Sequence, residues 1–314
     1  MGQFSNYPNG FAHGITIRGV PLQQAYPGQV YWVGNSTTAL MDNQKAASNG
    51  NDGTYLAPFS TVDYAVGRCV ANRGDVIFVK PGHAETISSA TTLALDVAGV
   101  AVIGLGQGSN RPTFNLTATT STITISGANC TFWNCLVTGG VDAIVAVYTV
   151  SGADVNLQVN YRDVTGQCTD CVLTTAAANR LFIDVNDYDG ATAAGTNAGI
   201  AIVGGDHIEI KGRYMDGNFA VGGIDIRTTA TTDLLVHEFK YFRTRNAADI
   251  FLVDTITAST GQVGPNINLR LNDNAANVTE AITGATFVVQ DPVYVVNLAG
   301  EKGMLINWTA STDA

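Results

Sequence analysis

The residues best suited to chemistry in this 314-residue chain are its acids, four histidines and five cysteines. The densest acidic run is DVNDYDG, with Asp184, Asp187 and Asp189 around Asn186. A calcium loop presents oxygen ligands at alternate positions before its glycine. Tyr188 breaks that alternation, so the run reads as a solvated corner. Asp206 and Glu209 form a second acidic pair in GGDHIEIKG. His83 and Glu85, followed by Cys168 and Cys171, imitate the spacing of a zinc deaminase. That chemistry needs facing helices and a proline before the first cysteine of the pair, where Gln167 stands instead. Cys130 and Cys135 with Cys168 and Cys171 have the spacing of a four-cysteine zinc site. Cys130 also holds a position that is apolar elsewhere in the chain, so a buried hydrophobic thiol is the simpler expectation. His13, His207 and His237 form no pair at metal spacing. The residues therefore lead us to expect no metal, no cofactor and no catalytic set.

What must position these residues is a repeat. Apolar pairs recur at Cys130/Phe132, Leu157/Val159, Ile183/Val185, Ile208/Ile210 and Leu234/Val236. A second set interleaves: Ile144/Ala146, Val172/Thr174, Ile200/Ile202, Ile224/Ile226 and Ile250/Leu252. Residues at i and i+2 share one face of a strand. One such strand cannot bury its face alone, but coiling the chain stacks each pair on its equivalent one period later. A period of this length built from strands is the signature of a β-solenoid. The expected interior row is Phe132, Val159, Val185, Ile210 and Val236. Gly139, Gly166, Gly190 and Gly217 are expected to supply the backbone angles of the corners.

Composition excludes several classes. Only 13% of residues are charged, the net charge is −10, and no basic run occurs. Phosphate contacts need clustered Lys and Arg, so nucleic acid is not an expected partner. No apolar run reaches membrane-spanning length, and the polar stretch 1–10 lacks the apolar core of a secretory signal.

Along the chain, residues 1–58 read as an N-terminal arm and lead-in loop. The arm carries Phe4, Tyr7, Phe11, Ile15 and Ile17, apolar side chains that suit a docking segment. Residues 59–73 read as a short helix capping the open end of the core, with Val62, Ala65, Val66, Cys69 and Val70 at helical spacing. Residues 74–290 are the solenoid, with an insertion expected at TITASTGQVG. Residues 291–314 are C-terminal strands or a cap. Val293, Tyr294, Val295 and Val296 make a strand apolar on both faces, and such strands are usually covered on both sides. A contact between subunits is therefore expected there.

The polar GNDGT loop, the PFSTVDYAV helix, GDVIFVKPG and the strand Ala84-Glu85-Thr86-Ile87 resemble the start of pectin-lyase-like proteins. That resemblance implies a right-handed parallel β-helix, an all-β fold. The run from FAHGITIRGVP through LDVAGVAVIGLGQGSNRPTF resembles a group of bacteriophage virion proteins of similar length. Polygalacturonase-like members of the first family carry an Asp-Asp pair, a Gly-His-Gly and an Arg-Ile-Lys. This chain has neither of the first two, and GGDHIEIKG lacks the triplets.

These resemblances imply a non-enzymatic virion protein, a decoration or cement protein on the capsid head, with the major capsid protein as partner. A homotrimer is the expected assembly, since closed symmetry is the default for homo-oligomers. The alternative is a tailspike that binds or cleaves host polysaccharide, with the acids Asp184, Asp187, Asp206 and Glu209 as its candidates. A secreted carbohydrate-active enzyme fits less well, for want of a signal segment and of the motifs.

Overall fold

The computed structural model describes residues 16–17, 20–21, 28–35, 45–164, 168–190, 196–245, 250–256, 258–271, 281–283, 286–290, 292–296 and 302–305. Strands stack in three columns. The first begins with Val30–Val33, Val76–Val79, Ala101–Gly104 and Thr131–Trp133 and ends with Thr260–Val263 and Thr286–Val289. The second runs from Ala84–Ile87 through Thr113–Leu116 and Leu136–Gly139 to Val293–Val296. The long strands Asn156–Asp163 and Phe182–Asp189 belong to both columns, which therefore join in one 18-stranded sheet. The third column is an eight-stranded sheet from Ala94–Leu95 to Ile282–Thr283. Coil-to-coil pairing is parallel throughout these columns, as at Val30 with Val76 and Gln262 with Val288. The chain is a parallel β-solenoid with three faces around one core. Among the described residues no helix is long and apolar enough to cross a membrane.

The interior row differs from the one expected. Phe132 pairs with Leu157, Leu157 with Ile183, Ile183 with Ile210, and Ile210 with Val236. Val159 and Val185 form a neighbouring inward row that ends on Gly212. A two-residue slip keeps every side chain on its own face, so alternation alone does not fix it. The second set slips too, by two residues at Leu252 and by four at Tyr148: Tyr148, Val172, Ile200, Ile224 and Leu252 are in register, while Ile144 pairs with Cys168. All of these side chains are buried in a single apolar cluster.

The corner glycines also have a different task. Gly139, Gly190 and Gly217 are not among the residues at positive φ. A Cβ on Gly139 would collide with the Tyr161 hydroxyl, and one on Gly217 with the Phe219 ring. They are small because the inward row Tyr161, Tyr188, Met215 and Phe242 needs the space. Gly166 lies outside the described residues. The left-handed corner before the first column is instead held by Gly99, Asn129, Asp154, Arg180, His207 and Asp233, with φ from 55° to 77°.

The helix is shorter than 59–73. It spans Val62–Val66, with the Thr61 hydroxyl accepting from the Tyr64 N–H. Val62, Ala65 and Val66 are buried, but Val70 is 51% exposed. The Val70 N–H donates to the Asp75 carboxylate at 2.8 Å, which draws the chain out of helical hydrogen bonding after Gly67.

No insertion interrupts the coil at TITASTGQVG. Thr260–Val263 pairs in register with the strand at 234–236, and Gly261 meets the Leu234 carbonyl where a Cβ would clash. The parallel pairing continues past residue 290, through Val293–Val296 on Ile267–Arg270. Lys302–Leu305 then folds back antiparallel on Val293–Val296 and covers that edge.

Candidate functional site

The acids named from the sequence do not converge. The Asp184 carboxylate accepts from Gln158 Nε2 at 3.0 Å, and Asp187 lies 3.6 Å from Arg162. Tyr188 points into the core between them and Asp189. Asp206 accepts from the Thr232 hydroxyl and N–H, which hold its pKa below the ordinary value. Glu209 lies 2.9 Å from His237 Nε2, one coil along. Asp184, Asp187, Asp206 and Glu209 therefore each have a different local partner. Among the described residues no group of three or more His, Cys, Asp or Glu side chains could hold a metal ion.

The structure brings together a different acid pair. Asp170 lies in the strand Cys168–Thr174, and Asp225 in the strand Phe219–Ile226. Ile224 and Ile226 point into the core, so alternation aims Asp225 away from it. Both aspartates are 3% exposed. The Arg227 guanidinium donates to Asp170 Oδ2 and lies 3.6 Å from Asp225 Oδ2. The other oxygen of each, Asp170 Oδ1 and Asp225 Oδ1, is buried without a hydrogen-bond partner. Burial pushes the Asp170 carboxyl up, against the pull of Arg227 and the Ala198 N–H. Burial raises Asp225 too; Arg227 opposes it, while Asp170 and Asp254 add to it.

Two carboxyls sharing one cation are under-neutralised, and such a group holds a proton near neutral pH more readily than a free aspartate. One carboxyl in acid form beside one in base form is the arrangement that proton-transfer chemistry uses. A depression of about 230 Å³, lined in part by Val145, Ala146 and Leu173, lies on the same face; Ala146 is the register partner of Asp170, and Asp225 stands two coils beyond Leu173. The sequence does not mark Asp170, which stands within Cys168-Thr-Asp-Cys171, as a partner of Asp225. A signal for Asp225 itself was there: an acid between two isoleucines in IDIR breaks an otherwise apolar strand and is followed by an arginine.

Other polar clusters are closed. Asp216, 2% exposed, accepts from both Nε and Nη2 of Arg245 at 2.7 and 2.8 Å, with Arg243 at 3.7 Å. His83 lies 3.0 Å from the Gly34 carbonyl and 3.1 Å from Glu85. The same Glu85 oxygen accepts the Val62 N–H, so this pair ties the first strand and the helix to the solenoid. The cysteines are reduced and do not assemble. The Cys130 sulfur faces the Val97 carbonyl, while Cys168 sits beside Tyr161 and Tyr188 inside the core. Burial pushes the Cys168 thiol up to about 12, so it is no nucleophile at neutral pH.

Of the expected docking arm, Phe4, Tyr7, Phe11 and Ile15 lie outside the described residues. Ile17 is described only as backbone, in a two-residue strand paired with Val20–Pro21. In the expected subunit contact, Val293 and Val295 point into the core, fully buried. Only Tyr294 and Val296 face outward, 48% and 37% exposed. A search of protein-family models, of curated proteins and of solved structures finds no match to this chain.

Proposed function

We propose that this chain is a structural protein of a bacteriophage particle, carried on the capsid head as a homotrimer, docked to the major capsid protein through residues 1–30 and catalysing nothing. The observation that carries this reading is where apolar surface is left over. Leu56, Tyr64 and Val70, around the helix that follows the arm, are among the large apolar side chains left exposed; others lie along the body, such as Val145 and Val288. Exposed apolar side chains next to the arm suit docking. An extended arm adds main-chain hydrogen bonds to a neighbour's sheet edge and seats its side chains in pockets. The remaining acidic body projects as a soluble, non-adhesive surface.

The test is deletion of residues 1–20. The body is expected to keep its circular dichroism and melting transition, while co-sedimentation with particles lacking the protein is lost. A truncated chain that still binds particles normally would overturn the reading.

A second reading, a tailspike acting on host surface polysaccharide, is favoured by the Asp170–Asp225 pair. It predicts that purified protein shortens that polysaccharide, measured by size-exclusion chromatography, and that Asp225→Asn stops the shortening. Depolymerisation by the wild-type chain would replace the first reading with this one.

A further inference from the structure

The outer wall of the first column is built like a face that is covered. In its first four strands the outward residues form two rows. Trp32, Phe78, Ile103 and Trp133 are in register in one row. Val30, Val76, Ala101 and Thr131 are in register in the other. The inward residues of the same strands are core, so these strands are apolar on both sides. Strands of that kind belong to sheets buried on both faces. Yet here the outer rows are only half-buried, and Val30 is 46% exposed. Trp32 packs on Phe78 at 5.1 Å and edge-on to Tyr55 at 4.8 Å, and Lys80 lies 3.9 Å from the Tyr55 ring centroid. These contacts shield part of the wall and leave its outer surface open.

We infer that this wall is the contact through which a second copy of the chain binds, with the symmetry axis parallel to the solenoid axis. About a threefold axis the row on one side of each wall meets the opposite row of the neighbouring copy, strand level by strand level. Large then meets small: Trp32 meets Val30, Phe78 meets Val76 and Ile103 meets Ala101. Further along the wall one charged pair follows the same rule. Glu209 belongs to the row of Phe182, and Lys211 to the row of Asp184, in one and the same strand. The axis therefore brings Glu209 of each copy to Lys211 of its neighbour.

The dimensions fit. Ten stacked strands at ~4.8 Å and about four residues of width give a wall on the order of 600 Å², near the ~800 Å² each partner of a stable complex contributes. At its far end a hollow of about 290 Å³, lined by Leu235, Gln262 and Val288, leaves room for a partner's side chain. The chain's net charge of −10 opposes self-association in general, but the first four outward pairs carry no charge. This inference deepens the homotrimer part of the proposal and moves its contact from Tyr294 and Val296 to the wall. It stands whether or not the chain binds a particle.

Sedimentation equilibrium on the full chain tests it. Wild type is expected at a multiple of 32.9 kDa. Ile103→Glu, an outward position, is expected to run as a monomer with unchanged circular dichroism. The double variant Tyr294→Ser/Val296→Ser is expected to stay assembled. A charge swap supplies a second measurement that does not depend on the folding of Ile103→Glu. Glu209→Lys is expected to weaken association about tenfold, and adding Lys211→Glu to restore it. A monomeric wild type ends both the homotrimer and this inference. An assembled wild type that Tyr294→Ser/Val296→Ser dissociates, or that neither Ile103→Glu nor Glu209→Lys weakens, ends the inference and leaves the assembly standing.

Discussion

Asp75, at the first end of the solenoid, and Asp225, midway along its third face, are both buried aspartates with an arginine beside them. Their surroundings differ in the number of donors. Asp75 receives Nε and Nη2 of Arg73, each at 2.7 Å, and the N–H groups of Gln29 and Val70 at 2.7 and 2.8 Å. Burial alone would raise its pKa; Arg73 and the two N–H groups outweigh that and hold it below the ordinary value. Asp225 shares Arg227 with Asp170, keeps one oxygen unpaired, and is raised. The supply of donors, more than burial, decides which aspartate stays charged. At the end of the solenoid the fixed charge joins the first strand, the turn after the helix and the second coil. On the third face the shortage of donors leaves a group able to hold a proton.

The comparison extends to an aspartate with no donor at all. Val185→Asp would place one in the dry core, and we expect a loss of more than about 4 kcal/mol, seen as failure to give a folded, soluble chain. A folded Val185→Asp protein would show that the core admits water. Next in size is Asp75→Ala, expected to cost about 3 kcal/mol at pH 7 in urea unfolding, because it strips partners from buried donors. A folded pKa below the unfolded ~3.9 contributes stability above that value and loses it as pH falls through the folded pKa. The difference between Asp75→Ala and wild type should therefore shrink in strong acid. A difference that stays constant down to pH ~2 would mean that the carboxylate's charge is not what matters.

Arg227→Met should cost less, about 2 kcal/mol at pH 7, because Asp170 and Asp225 can take up protons once the cation is gone. Its deficit should narrow already as pH falls toward 5, whereas that of Asp75→Ala narrows only in strong acid. The smallest effect is expected for Asp225→Asn. For a raised carboxyl the unfolded chain releases its proton first, so stability falls as pH rises from ~3.9 through the folded pKa. Above that window the charged form is a standing penalty, and the amide removes it. Asp225→Asn should thus be neutral or stabilising by up to about 1 kcal/mol at pH 7, with no gain at pH 3. A marked destabilisation at pH 7 would place Asp225 with Asp75 instead.

The coil period, the strand class and the inward face of almost every strand were legible in the sequence, because side-chain alternation and its recurrence are local properties. A helix start at Ser60 or Thr61 was legible for the same reason, and the structure gives the cap to Thr61. Its end was not, because it depends on Asp75, which the sequence does not place near Val70. The two-residue slips at Val159 and Val185 were hidden, since i and i+2 face the same way. The purpose of Gly139 and Gly217 was hidden as well: the rings that crowd them belong to other positions in the stack.

For the candidate site the division is sharper. The sequence by itself determined that this chain stacks as parallel coils and which residues form its core. Only the tertiary structure decided that Asp170 and Asp225 come under one arginine. They stand 55 residues apart in sequence, two coils along the solenoid. A carboxylate's behaviour depends on the donors around it, and in a solenoid those donors come from neighbouring coils.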